Sequence, residues 1–188
     1  TDGAQTGLDL TGDMTLELWV KLESQPSGAD YAFISKDGAG QRGYRFFYRD
    51  TAGTKTIHLG VTNDAGDAGT EGSITYALTT GAWTHLAVSY STAGTGVLYI
   101  NGISVGTYSS LDTSQANNTS PFEIGATFGS ASHFDGLVDD VRAWSDVRTA
   151  AEVRDNYDNI LTGSEGNLVG YWLLNGDLLD LTSNNNDL

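Results

Sequence analysis

The sequence has no cysteine, only two prolines, and few basic residues, nine Lys and Arg against 24 Asp and Glu. The missing cysteines rule out disulfide staples, so an apolar core has to hold the fold, and they leave the redox compartment open. The formal charge of −15 argues against nucleic acid and anionic membrane surfaces as partners. It favours cations, and it equally suits the solvated surface of a secreted or salt-adapted protein. No apolar run approaches the ~20 residues of a membrane-spanning helix, so no membrane insertion is expected. No charged and then apolar leader stands at the N-terminus either. The chain starts at Thr1 and is expected to be a domain of a longer protein, with neighbouring domains. A phosphate loop is also lacking: the glycine-rich stretch 36–43 has no Gly-x-x-x-x-Gly-Lys-(Ser/Thr) spacing and precedes a strand. No Ser or Cys nucleophile stands beside His85.

What is present is glycine, 24 residues of it, with many Thr, Ser and Asn, the composition of a turn-rich β protein. At 188 residues, one well-buried all-β domain is expected over 1–188. Met14, Leu16, Leu18, Val20 and Leu22 alternate with Thr15, Glu17, Trp19 and Lys21, which predicts a strand with one face in a core. Trp19 lies on its outward face, either to stack on a sugar ring or to be covered by a crossing loop. Tyr31 opens a second strand. Ile57, Leu59 and Val61 form another inward row, with His58 facing away as a surface histidine. Leu86, Val88 and Tyr90 form one more, and the run ending at Ile100 enters Asn101-Gly102, the dipeptide that best supports a two-residue hairpin turn. Residues 109–120 read as a polar loop and 122–125 as a short strand. Thr149 and Glu152 make a capping box, and Val153, Tyr157, Ile160 and Leu161 form one stripe, predicting a helix of about three turns over 149–161. A last strand is predicted over 168–174, with an Asn-rich, partly mobile tail beyond Asp180. The segment 168–188 either closes the sheet or begins a second repeat.

The stretch from Phe134 to Trp144 is strand-like yet acidic. Period two puts Asp139 in an apolar row with Leu137, Val141 and Ala143. An unpaired ion buried there costs several kcal/mol, so a bound cation, an arginine or backbone N–H groups must compensate it. In the loop 62–72, Asn63, Asp64, Asp67 and Glu71 offer oxygens of the kind calcium takes, although the helix-loop-helix calcium spacing is absent and a solvated turn is the other reading. Asp37, at a strand end, is a candidate ligand contact or the residue that shapes an Asx turn.

Five stretches carry a resemblance: Thr11 to Lys21, Phe33 to Gly38, Gly81 to Gly102, Phe134-Asp-Gly-Leu-Val-Asp-Asp-Val-Arg-Ala-Trp144, and Leu168 to Asn186. In order, they resemble the strands of the laminin G-like and pentraxin-like domains of the concanavalin A-like lectin/glucanase superfamily. The resemblance implies an all-β jelly-roll sandwich of two antiparallel sheets with one short C-terminal helix. It implies a noncatalytic carbohydrate-binding, lectin-like module of an extracellular multidomain protein such as an adhesin, with a protein-binding or spacer module as the alternative. Retaining glucanases of the superfamily need paired carboxylates, and their Glu-x-Asp-x-x-Glu pattern is absent; Glu17 and Glu123 stand singly. Loops at one end of a sandwich carry recognition, which makes Asp37, Asn63, Asp64, His133 and Asp135 candidate ligand contacts, with Tyr31 and Tyr48 as stacking faces. The loop 126–133, which carries acidic calcium ligands in pentraxin-like relatives, has none here. In lichenase-like relatives the Asp of an Asp-x-Val-(Arg/Lys) strand binds a structural calcium. The match makes Asp139 a calcium ligand with Asp13 as the second, beside Asp64 and Asp67 in the loop.

Overall fold

The computed structural model describes residues 5, 7–38, 41–63, 69–127 and 132–188. Eleven strands form among them: β1 (Met14–Leu22), β2 (Tyr31–Gly38), β3 (Gln41–Thr51), β4 (Thr54–Val61), β5 (Thr70–Thr75), β6 (Trp83–Ser91), β7 (Thr95–Ile100), β8 (Ile103–Tyr108), β9 (Glu123–Ile124), β10 (Gly136–Trp144) and β11 (Leu168–Trp172). One helix occurs among the described residues, α1 (Ala150–Asn156), which follows β10. The strands make two antiparallel sheets, a six-stranded one in the order β11-β10-β1-β6-β7-β8 and a five-stranded one in the order β5-β4-β3-β2-β9. This is the expected jelly-roll sandwich. The alternating row of β1 is its centre: Met14, Leu16, Leu18, Val20 and Leu22 are at most 1% exposed. They meet Phe33, Phe46, Tyr48, Ile57 and Leu59 from the second sheet in one core.

Asn101 and Gly102 turn β7 into β8 with φ of 49° and 75°, both in the left-handed region that this dipeptide tolerates. The Asn101 side chain also accepts a hydrogen bond from the His85 N–H at 2.9 Å, tying the turn to β6. A Cβ on Gly102 would lie 2.8 Å from Tyr157 Cδ1 and 3.1 Å from Arg154 Cα. The glycine therefore also lets α1 approach. Thr149 caps that helix through the predicted box, its hydroxyl accepting from the Glu152 N–H while the Glu152 carboxylate accepts from the Thr149 N–H. Val153 packs on Ala87 and Tyr99, which lays α1 over the outer face of the six-stranded sheet.

The helix is shorter than its stripe predicts. It ends at Asn156, and Ile160 is 76% exposed. The Arg142 guanidinium takes the carbonyls of Asn156 and Asn159 at 2.9 and 2.6 Å, so the last predicted turn opens around a side-chain cation. The C-terminal segment is bonded into the sandwich. β11 pairs with β10, Trp172 stacks on Phe122 at 5.2 Å, and its indole N–H donates to the Asn186 carbonyl. The Asp180 carboxylate accepts from the N–H groups of Tyr171, Thr182 and Asn186 and from the Thr182 hydroxyl.

His58 is not at the surface. It is 7% exposed and lies flat on Phe47 at 4.6 Å, on the outer face of the five-stranded sheet. Arg45 and Arg49 sit over the same Phe47 ring at 4.0 and 4.9 Å, held in turn by Asp30 and Glu71. Burial, helped by the nearby Arg49 cation, pushes the His58 pKa down to about 4.

Gly102→Ala should cost about 1–3 kcal/mol, from the left-handed φ and the clash with α1 together, read as a melting-temperature drop of several degrees. For His58, the unfolded ring takes up a proton near pH 6.5 whereas the folded one waits until about 4. Its contribution is therefore fully present above pH ~6.5 and lost as the pH falls, at about 1.4 kcal/mol per unit, up to ~3 kcal/mol. Denaturant melts of wild type and His58→Gln should converge between pH 7 and pH 4; parallel curves would show that His58 does not titrate in this way.

Candidate functional site

The acidic stretch of β10 does not keep a simple period of two. Against β1, Thr15 faces Trp144, Leu16 faces Ala143 and Glu17 faces Arg142, but the next pairs are Trp19 with Asp139 and Val20 with Val138. Asp140 and Val141 thus stand opposite the single residue Leu18, which is a β-bulge. Asp140 takes up the extra residue with φ of 48°, a conformation Asp enters more easily than most side chains. The bulge flips the alternation: Val138 and Val141 both face the core, and Leu137 is 49% exposed. Asp139 therefore shares the outer face with Trp19 instead of lying in an apolar row, and this corrects the reading from the pattern alone.

The buried charge in this strand is Arg142, 1% exposed. Its Nε and Nη2 donate to the two carboxylate oxygens of Asp140, both at 2.8 Å, and its remaining bonds go to the Asn156 and Asn159 carbonyls. Asp140 and Arg142, two residues apart, share the outer face, and the fork closes between them beside the bulge. Beside it lie Glu17 and His85, 2% and 1% exposed and 3.3 Å apart.

This polar layer supports a hollow of about 330 Å³ lined by Trp19, Trp83, Asp139 and Asp140. Trp83 opens β6 and is 43% exposed, the largest exposed face of the four tryptophans. Trp19 is held edge-on by His85 and stacked by Tyr157, and its indole N–H donates to the Tyr157 carbonyl at 3.1 Å. Helix α1 and the turn after it cover one side of Trp19 and leave the other to the hollow. Asp139 accepts a hydrogen bond from the Asp140 N–H through Oδ1, and no basic side chain pairs with it among the described residues. Burial, and then the Asp140 charge, raise its pKa. The arrangement offers an aromatic wall to an apolar ring face and a carboxylate to a hydroxyl or amine donor. The larger hollow between β9 and β10, about 520 Å³, is lined by Phe122, Ile124, Phe134, Val138, Leu174 and other apolar groups, with Glu123 its one charged residue.

The predicted ligand rim is not one site. Asp37 and the Asn63 segment meet at one end of the five-stranded sheet, where the Thr62 N–H donates to the Gly43 carbonyl. Asp37 is 6% exposed, lies inside β2 rather than in an Asx turn, and pairs with Arg42 at 3.3 Å and Arg45 at 3.8 Å. Asn63 donates its N–H to Asp112. Tyr31 begins the same strand six residues away, roughly 20 Å along it, where its hydroxyl meets Ser24 and Ser24 bonds Asp135. His133 is exposed near Glu123, whose pKa it lowers against the raising effect of burial. Tyr48 is fully buried, its hydroxyl bonded to Gln25 and to the Leu78 N–H, so it cannot be a stacking face. Asp64 and Asp67 lie outside the described residues.

Asp13 and Asp139 cannot share one calcium ion. Asp13 precedes Met14 at one end of β1, whereas Asp139 faces Trp19, which puts them roughly 20 Å apart along the strand. Asp13 instead accepts from the N–H and hydroxyl of Thr92 at the β6–β7 turn. No group of three or more His, Cys, Asp or Glu suited to a metal ion occurs among the described residues. The sequence marks Trp19 and Asp139 separately, whereas Trp83 as a wall and Asp140 as the anchor of Arg142 emerge only in the folded chain. The tandem Asp139-Asp140 was the only local signal.

Asp140→Ala strands the buried guanidinium and should cost about 3–5 kcal/mol. Asp139→Asn removes a carboxylate whose charged form is disfavoured, so it should be neutral or slightly stabilising at pH 7. Urea melts of the two variants check the contrast; equal losses would mean that Asp139, too, is a structural anion.

Compared with known proteins, the chain superposes on several solved structures. A protein from Bacteroides ovatus assigned to carbohydrate binding gives a TM-score of 0.70 at 21% identity, over 88% of this chain and 46% of that one. The chain thus spans less than half the length of that protein. Domain 4 of an extracellular arabinanase from Geobacillus stearothermophilus, in complex with arabinotriose, gives 0.60 at 22% identity, over 79% and 68%. A heptameric SAP-like pentraxin from Limulus polyphemus gives 0.61 at 18% identity, over 77% and 69%. No curated protein matches. A laminin G family model of the concanavalin A-like lectin/glucanases superfamily matches residues 2–154, and the chain belongs to that family.

Proposed function

We propose that the chain is a noncatalytic carbohydrate-binding module and that it binds a glycan in the hollow of Trp19, Trp83, Asp139 and Asp140. The observation that carries this reading is the 43% exposed Trp83 sharing the hollow with a carboxylate, Asp139, that no basic side chain among the described residues pairs with. Sugar rings present an apolar C–H face and a rim of hydroxyl donors, and the hollow offers a partner for each. Support comes from the fold neighbours, one assigned to carbohydrate binding and one in complex with arabinotriose.

A hydrolytic site needs two free carboxylates across the scissile bond. Both Asp140 oxygens are held by Arg142, Glu17 is 2% exposed beneath α1, and Glu123 stands alone on β9. Binding without turnover is therefore the chemistry that this arrangement favours. We place the module outside the cell in a multidomain protein, in keeping with the arabinanase described as extracellular and with a B. ovatus protein about twice the length of the matched region.

Titration of an oligosaccharide panel, followed by tryptophan fluorescence and calorimetry, tests the reading. Wild type should bind a member of the panel, and Trp83→Ala should weaken that binding at least tenfold, roughly 1.4 kcal/mol, without changing the melting temperature. The same titration with calcium and with a chelator reports whether calcium has any part in binding. Binding that survives Trp83→Ala unchanged would move the site elsewhere, and release of reducing ends would make the protein an enzyme.

A further inference from the structure

We propose that the hollow selects sugars bearing a free, protonated amine over neutral and N-acetylated ones. This deepens the glycan reading and rests on it. Two features of the hollow point to a cation. Its walls are indoles, Trp19 and Trp83, whose faces attract positive charge. Its polar side is acidic: Asp139 pairs with no basic side chain among the described residues, and Asp140 lies next to it. Arg142 neutralises Asp140 but stays 1% exposed, its N–H groups turned to Asp140 and to the carbonyls of Asn156 and Asn159. It therefore offers no donor to a ligand. Lys21 lies opposite Trp83 and Leu137 in the sheet, and it neither lines the hollow nor pairs with Asp139.

A neutral sugar would leave Asp139 with hydroxyl contacts only. An ammonium group on the ring supplies the missing counter-charge and meets an indole face at the same time. Charge-assisted hydrogen bonds are roughly twice as strong as neutral ones, so the preference should be large where water is partly excluded. Burial, with the Asp140 charge adding to it, raises the Asp139 pKa in the free protein, and a ligand cation relieves that unfavourable charge. The net charge of −15 further draws cationic oligosaccharides and repels uronate-bearing ones.

The test uses three β-1,4-linked trimers at pH 6: the glucosamine trimer with free amines, its N-acetylated counterpart, and the glucose trimer. Affinities are measured by calorimetry and tryptophan fluorescence on wild type, Asp139→Asn and Trp83→Ala, each variant first shown to melt cooperatively. The amine trimer should bind at least tenfold more tightly than the other two. That advantage should shrink in about 0.5 M salt and vanish in Asp139→Asn, while Trp83→Ala weakens whatever binds. Equal affinities for the three trimers, with Trp83→Ala still harmful, overturn the amine preference and leave the glycan reading standing. An advantage that persists in Asp139→Asn also overturns it. If butylamine competes as well as the glucosamine trimer at equal amine concentration, the hollow takes a cation and not a sugar, and the glycan reading falls along with this one. If no trimer and no other glycan binds, both fail.

Discussion

A guanidinium taken out of water has to place its N–H groups on acceptors, and in this protein those acceptors come from segments far apart in the chain. Arg142 is 1% exposed, forks onto Asp140, takes carbonyls from Asn156 and Asn159, and lies 5.5 Å from the Tyr171 ring centre. It therefore joins the β10 bulge, the end of α1 and strand β11. A buried ion is tolerated only when it is paired and hydrogen-bonded, so these three features stand or fall together. Asp140 in the bulge supplies the carboxylate, the end of α1 and the turn after it supply carbonyls, and β11 supplies an aromatic face.

The site is a by-product of that arrangement. Asp140 occupies the left-handed region because it carries the extra residue of the bulge, and the shift in alternation brings Asp139 beside Trp19. Trp19 is immobilised from behind by His85, Tyr157 and the Tyr157 carbonyl, so only one face is left for a ligand. A rigid aromatic face loses little conformational freedom on binding. The polar layer of Glu17, His85 and Arg142 beneath α1 is almost completely buried, so of the Arg142–Asp140 pair only Asp140 reaches the hollow.

The outer face of the other sheet is built differently. Phe47 is fully buried there, in contact with Arg45, Arg49 and His58, and the two arginines are fastened by Asp30 and Glu71. Cation–π contacts contribute about 0.5–2 kcal/mol each, and bidentate pairs such as Arg49 with Asp30 add geometric order. The nine basic residues of this acidic chain include four on β3 and β4, Arg42, Arg45, Arg49 and Lys55, each paired with a carboxylate. Charge on β3 and β4 is matched internally, whereas Asp139 on the first sheet pairs with no basic side chain among the described residues.

By itself, the sequence determined whatever depends on neighbours along the chain. The alternating rows of β1 and β6, the Asn101-Gly102 turn and the Thr149-Glu152 capping box follow from a backbone that sends successive side chains to opposite faces and from side chains that bond within three residues. These were enough for the sandwich and for its family. Tertiary structure alone decided which face Asp139 occupies, where α1 stops, and that Tyr48 and His58 are covered. Period two holds only while strands pair one to one, and the bulge that sets Asp140 and Val141 opposite Leu18 exists only in the pairing of β10 with β1. The same reason separated the expected rim: Asp37 and Tyr31 are close in sequence, yet an extended strand of six residues carries them to opposite ends of the sheet. It also brought Trp19, Trp83 and Asp139 together from three strands that the chain keeps far apart.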